Sequence, residues 1–503
     1  MPYVRTVKTT SGATAVQIVW SSRRGSRRIE HLGSAHDEAQ VEALKAAARQ
    51  QIAAGQAELS LGLEPAAGGP LPITSSRMSH LVDSLERAYR VLGFEDAAGG
   101  DEVFRHLVLA RIIEPSSKLD SLRVLDEAGV TPASYRTLKR RLPAYAEDKW
   151  RQRLSQACAA HARVGPASLV LYDVSTLYFE TDQGDGFREP GFSKERRLEP
   201  QITIGLLTDQ AGFPLMVSAF EGNKAETKTM LPVIEAFMAA HQLPDVTVVA
   251  DAGMISEANM KAIEAAGLSF ILGMKVPDVP YVIDQWRRDH PGEEIPDGHV
   301  FTQPWPAGPN GKRRDQVIYY QYKADRARRA LHGIDEQVAK AARAVAGLAP
   351  VKRNRFIALD GAVKSVNREL EAKARTLAGI KGYKTNLAAT PDGEPVTADF
   401  VIGSYHELWR IEKSFRMSKS DLQARPVYHR KRDSIEAHLS VVFAALAVTR
   451  WIEARTGWST RKFVRTARRY RTIKIQAGRQ AITAADPIPD DLRQALDAIN
   501  RPT

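Results

Sequence analysis

Cysteine is nearly absent from this chain. A single Cys158 in 503 residues excludes an intramolecular disulfide and any zinc site built on clustered cysteines, and it reads as core filler in a reducing interior. An apolar leader is missing too: the opening MPYVRTVKTT has no hydrophobic stretch of the kind a signal peptide needs. The longest apolar run, VVFAALAV, is too short to span a bilayer. We therefore expect a cytoplasmic protein with no membrane partner. Internal repeats and low-complexity tracts are lacking as well, which excludes solenoids and disordered arrays.

What the chain does have is length and positive charge. Single hydrophobic cores stop growing near roughly 250–300 residues, so 503 residues imply two to four domains. A composition of 43% hydrophobic and 26% charged residues is that of a folded globular protein. The net charge of +12 and a pI near 9.6 favour polyanionic partners, nucleic acid first among them. The excess is concentrated, since Arg430 to Lys474 holds twelve Lys and Arg against three Asp and Glu.

Hydrophobic periodicity divides the chain. Residues 1–75 alternate like short strands and end in a helix and a Gly/Pro-rich linker, a small β/α module. Residues 76–160 are helical, and ASYRTLKRRL follows the turn-like EAGVTP so that Arg136, Lys139 and Arg140 lie near one another, as in a helix-turn-helix; a solvated basic face explains them equally. Residues 161–276 contain ASLVLYDVS, QITIGLLTD and FPLMVSAFEG, then helix, strand, helix and strand, which predicts a mixed α/β sheet in the order β-β-β-α-β-α-β. Residues 277–390 read as an insertion. Residues 391–485 resume the core with a helix, the apolar SIEAHLSVVFAALAVTRWIEA and basic C-terminal helices, and 486–503 form an acidic tail.

Three acids stand at the edges of buried structure. Asp173 ends the run SLVLY and Asp251 ends VTVVA, where a buried, unpaired carboxylate costs several kcal/mol unless a cation accepts it. In an open α/β sheet, sites gather at the carboxyl ends of adjacent parallel strands, so the two converge if their strands are neighbours. In YHELWRIEKSFRMSKSDL, at about 100° per residue, Leu408, Ile411, Phe415 and Leu422 share one sector, and Tyr405, Glu412, Arg416 and Lys419 share the adjoining one. Each acid also has an ordinary explanation: a turn cap for Asp251, an i,i+4 pair with Arg416 for Glu412. Together they suit two Mg²⁺ ions, hard cations that take oxygen ligands, with Mn²⁺ as a substitute. Arg416 and Lys419 would then hold phosphates beside them.

On these residues the chain resembles the DDE transposases of bacterial insertion sequences, in the group whose catalytic helix carries a Tyr-Arg-Glu-Lys signature. Tyr405, Glu412 and Lys419 match, while Leu408 stands where the signature has Arg, leaving Arg410 or Arg416 to compensate. The likeness extends through GFPLMVSAFEGNKAET and ARPVYHRKRDSIEAHL, over roughly residues 100–480. It implies Asp173, Asp251 and Glu412 as catalytic metal ligands, an RNase H-like fold interrupted by a largely β insertion, and a separate N-terminal DNA-binding region.

The expected activity is metal-dependent phosphoryl transfer. The enzyme binds terminal inverted repeats in double-stranded DNA, nicks them and joins the freed ends to a target, at least as a homodimer in the synaptic complex. Tyr405, Arg410, Arg416, Lys419, Arg461, Lys462, Arg465, Arg468, Arg469, Arg136, Lys139 and Arg140 are the expected DNA-binding residues. Asn223, Glu226, His429 and His438 are further polar candidates near the site, and Trp409 is a candidate for base stacking against an ordinary packed role. The alternatives are a catalytically silent DNA-binding regulator and a structure-selective nuclease of the same fold.

Overall fold

Alternating side chains build the first layer. In strand β2 (Thr14–Ser21), between β1 (Tyr3–Lys8) and β3 (Arg27–Ala35), Val16 and Ile18 point inward. They meet Val41, Leu44 and Ala48, which recur at helical spacing on α1 (Glu38–Ala54) and close a small separate core. The computed structural model describes residues 2–9, 12–21, 27–54, 71–181, 183–191, 199–251, 257–306, 315–350, 354–360, 363–424, 431–477 and 480–502.

Strand β4 (Ile73–Arg77) leads into six helices, α2 (Ser79–Val91), α3 (Phe94–Ala97), α4 (Glu102–Ile113), α5 (Asp120–Ala128), α6 (Tyr135–Ala146) and α7 (Asp148–His161). The expected order then follows: β5 (Leu169–Tyr178), β6 (Gln201–Asp209), β7 (Pro214–Glu221), α8 (Met230–His241), β8 (Thr247–Ala250), α9 (Glu257–Ala265) and β9 (Ser269–Met274). Strands β6 and β8 are buried without alternation, from Gln201 to Thr208 and from Thr247 to Ala250, because layers cover both faces of the sheet.

The insertion is not a detached β domain. After α10 (Tyr281–Asp289) come β10 (Val300–Trp305), β11 (Gln316–Tyr322), α11 (Ala324–Val345), β12 (Ile357–Asp360), β13 (Val363–Val366), α12 (Arg368–Thr376) and β14 (Ile380–Thr385). Three of its strands extend the central sheet, whose order is β10-β11-β14-β9-β8-β5-β6-β7. Helices α11 and α12 and the β12–β13 hairpin stand apart from it, around Ile334, Val338, Ala341 and Phe356.

The rest of the chain covers one face of this sheet. Helices α13 (Ala398–His406) and α14 (Leu408–Arg416) are followed by a π-helical turn at Met417–Asp421. Helix α15 (Arg432–Thr456) is long and apolar enough to cross a membrane, but its apolar residues are buried inside the protein against α4, α6, α17 (Asp490–Asn500) and β7. Two expectations change here. The basic segment 461–474 is helical only in α16 (Thr460–Ala467); the chain then enters β15 (Thr472–Ala477), which pairs with β16 (Gln480–Ala485) and with the distant β4. The acidic tail is α17, which buries Leu492, Leu496 and Ile499.

One side chain ties these layers together. Arg471, 4% exposed, donates to the carbonyls of Ser34 (3.3 Å), Ser76 (3.0 Å) and Glu127 (2.8 Å) and to the Ser76 hydroxyl (2.6 Å). Burial lowers its pKa to about 10, still well above neutrality, so it stays charged. It joins the N-terminal module, β4 and α5.

Candidate active site

Register decides where the aspartates go. Strands β5 and β8 are adjacent and parallel, with Leu169 opposite Thr247, Val170 opposite Val248 and Leu171 opposite Val249. Two residues beyond the last of these pairs come the acids, Asp173 midway along β5 and Asp251 just past the end of β8. The faces are settled by the neighbours. Tyr172 turns the other way and donates to the Thr229 hydroxyl at the start of α8 (3.0 Å). Asp173 therefore shares a face with Ser175 and Leu177, which line a small void together with Phe415, Ser418 and Lys419. Both aspartates thus lie on the face covered by α13 and α14, and α14 packs on β5.

Tyr405 connects this face to Asp251. Its hydroxyl donates to Asp251 Oδ1, and its ring, 6% exposed, lies on Gly273 of β9. A Cβ at Gly273 would stand 2.6 Å from that ring, so glycine is required there. Tyr383 of β14 meets the ring edge-on at 5.1 Å. Burial raises the Tyr405 phenol far above its usual range, and the hydrogen bond and charge of Asp251 and the charge of Glu412 raise it further. It is a permanent donor.

Leu408 and Ile411 are buried, as the helical stripe predicts, but Glu412 is exposed on α14 rather than partly buried at the border of the core. Asp251 and Glu412 share two neighbours: both charges act on Tyr405, and both act on Lys381 of β14. The Lys381 ammonium sits 4.2 Å from the Tyr405 ring centroid. Burial lowers its pKa, and the two carboxylates oppose that shift.

The donor set suits a hard divalent cation, being carboxylate oxygens on one face with neither thiolate nor imidazole among them. The three acids are not drawn into a chelating cluster; among the described residues no group of three His, Cys, Asp or Glu stands close enough to hold one ion. The reason is local. Asp251 is turned to the Tyr405 hydroxyl, and Glu412 points outward from its helix.

The helix itself is not continuous. It breaks at Glu407, between α13 and α14, and the π turn inserts extra backbone after Arg416, so Lys419 is half-buried on the turn rather than one regular step beyond Arg416. Leu408, in the place of the signature Arg, is core. Arg410 does not compensate for it. It is paired with Glu407, and its Cβ lies against the Gly212 turn beside Arg450, away from Asp251.

The basic segments divide likewise. Arg136, Lys139 and Arg140 lie on α6, whose Leu138, Leu142 and Tyr145 are buried and whose start is capped by Ser134. Arg461, Lys462, Arg465 and Arg469 are exposed on and just after α16. Arg468 is the exception: it is buried and paired with Glu114 at 3.5 Å, because it falls on the same side of the helix as Val464. Arg461 and Arg465 border a cleft of about 750 Å³ between the N-terminal module, α4, α5 and α16, with Lys8, Arg123 and Asp421.

Of the other candidates, Asn223 and Trp409 are exposed, and Glu226 opens a short 3₁₀ turn. His438 is buried against the Ala424 carbonyl (3.3 Å), and His429 lies outside the described residues. Lys381 went unrecognised in the sequence because nothing in IKGYKT separates it from any strand lysine; only β14 pairing with β9 brings it to the acids.

Comparison with known proteins gives the family. A family model described as "Transposase DDE domain" matches residues 165–448, more than half of the chain and the whole span from β5 through most of α15. The chain belongs to this family and is an enzyme, a DDE transposase. Among solved structures, the cryo-EM structure of the piggyBac transposase synaptic complex with hairpin DNA is similar at 11% identity and a TM-score of 0.36, over 78% of this chain and 69% of that one. No curated protein matches the chain at a significant level.

Proposed function

We propose that this transposase binds the terminal inverted repeats of a bacterial insertion sequence in the cytoplasm, and that it cleaves and joins DNA strands with Mg²⁺ held by Asp173, Asp251 and Glu412. The observation that carries this is the parallel pairing of β5 with β8, which runs the segments bearing Asp173 and Asp251 side by side under the helix bearing Glu412. We read the strand order β7-β6-β5-β8-β9, with β5, β8 and β9 parallel, as an RNase H-like core to which the insertion adds an antiparallel edge.

Two bound Mg²⁺ ions would activate the attacking oxygen and steady the leaving oxygen of an in-line displacement. The chain's own residues do the rest. Tyr405 orients the Asp251 carboxylate, and Arg416 and Lys419 offer cations for the flanking phosphates. Exposed Arg461, Lys462, Arg465 and Arg469, with Arg136, Lys139 and Arg140, supply further phosphate contacts along the DNA. Two ends held in one synaptic complex require at least a homodimer.

The test offers purified protein a labelled duplex from the flank of its coding sequence, with Mg²⁺ or with EDTA. Cleavage and joining by wild type in Mg²⁺, lost in EDTA and in Asp173→Asn, Asp251→Asn and Glu412→Gln while binding persists, is the expected result. Equal cleavage by the three variants would refute the site, and cleavage without joining would make the enzyme a nuclease.

A further inference from the structure

The insertion returns to the core through β14, and β14 delivers a cation to the acids. Lys381 Nζ stands 4.2 Å from the Tyr405 ring centroid and 5.7 Å from that of Tyr383. Tyr405 holds Asp251 by its hydroxyl, and the charges of Asp251 and Glu412 both bear on the ammonium. Behind it Arg326, near the start of α11, donates to the carbonyls of Gln321 and Gly379 (3.2 Å each), acceptors that leave its positive charge in place. Ordinary packing does not ask for a half-buried lysine here. The side chain has a flexible stem, a compact charge and an aromatic surface on which to rest.

We propose that Lys381 is a substrate-binding residue of the catalytic centre, its ammonium receiving the DNA phosphate brought to Asp251 and Glu412. The proposal rests on the acid-site reading given above. It assigns the insertion a direct part in the site, because neither β14 nor Arg326 belongs to the five-stranded core. Lys381 lies outside the Tyr-Arg-Glu-Lys signature, and its cation approaches the acids from the sheet rather than from α14. A positive charge so placed also works against a divalent ion at the same carboxylates when DNA is absent.

Two measurements on the full chain test this. Mn²⁺ binding without DNA is followed by the electron paramagnetic resonance of the free ion, and nicking is followed on a supercoiled plasmid carrying the flanking DNA. Lys381→Met should bind Mn²⁺ about threefold or more tightly than wild type. It should also need at least tenfold more DNA for half-maximal nicking, and Lys381→Arg should recover most of that loss. Mn²⁺ binding by Lys381→Met shows that the variant is folded. If it nicks with the wild-type DNA dependence, Lys381 meets no phosphate and the proposal fails while the acid site stands. If Asp251→Asn binds Mn²⁺ as wild type does, the acid-site reading fails and the proposal with it.

Discussion

Tyr405→Phe removes one oxygen and leaves the ring where it is, against Gly273 and edge-on to Tyr383. The hydroxyl that donates to Asp251 is then missing. A hydrogen bond to a charged group is worth about 1.5–3 kcal/mol, and the lower part of that range applies because Asp251 is exposed. At about 1.4 kcal/mol per factor of ten, 1.5–2 kcal/mol corresponds to a roughly ten- to thirtyfold loss. Removing a donor that orients a metal ligand typically costs about 10- to 100-fold in activity, which agrees. The assay is single-turnover cleavage of a labelled duplex in Mg²⁺, with the Tm of wild type and variant measured in parallel. Because the ring packing is kept, the Tm should fall by no more than about 4 °C, the shift that 1.5–2 kcal/mol gives at roughly 2 °C per kcal/mol in a chain longer than 250 residues. Cleavage within twofold of wild type would show that the hydroxyl does not position Asp251. A large fall in Tm with proportionate loss of activity would make the bond structural.

Other consequences follow from the same geometry. Gly273→Ala places a Cβ 2.6 Å from the Tyr405 ring and should cost about 1–3 kcal/mol by overpacking, with cleavage falling at least as far as in Tyr405→Phe; denaturant unfolding and the cleavage assay check both. Arg471→Met leaves three carbonyls and a hydroxyl without their donor and should destabilise by about 3 kcal/mol or more, seen as a lower Tm. Arg461→Gln with Arg465→Gln should weaken DNA binding evenly across sequences and reduce the salt slope by about one for each phosphate no longer neutralised; a binding isotherm at several salt concentrations measures it. Burial lowers the pKa of His31, His106 and His241, so the unfolded chain binds more protons just below pH 6.5 and stability falls from pH 7 to 5.5. A Tm constant over that window, or unchanged in its slope by His31→Gln, would contradict this.

The alternation in TAVQIVWS, the apolar run of β8, and the stripe of Leu408, Ile411 and Phe415 were all legible, because burial leaves its pattern on each. Asp173 and Asp251 were recognisable as carboxylates at the ends of such runs. Long-range pairing was not legible. Nothing local tells β4 to pair with β15, or β14 to join β9, since backbone hydrogen bonds carry no mark of their partner. The basic stretch 461–474 misled for a related reason: Arg468 and Arg471 look like surface charge, yet they meet Glu114 and the carbonyls of three distant elements. The charged α17 concealed its apolar stripe in the same way.

By itself the sequence determined which residue types stand where: two acids closing apolar strands, one acid on an amphipathic helix, and cations along a basic C-terminal region. Period and composition carry that much because they depend only on neighbours along the chain. Tertiary structure alone decided which of these groups meet. Parallel pairing of β5 with β8 ran the segments bearing Asp173 and Asp251 side by side, Tyr405 took hold of Asp251, and an insertion strand brought in Lys381. Meetings between residues far apart along the chain arise from sheet register and helix packing, and no local pattern encodes either.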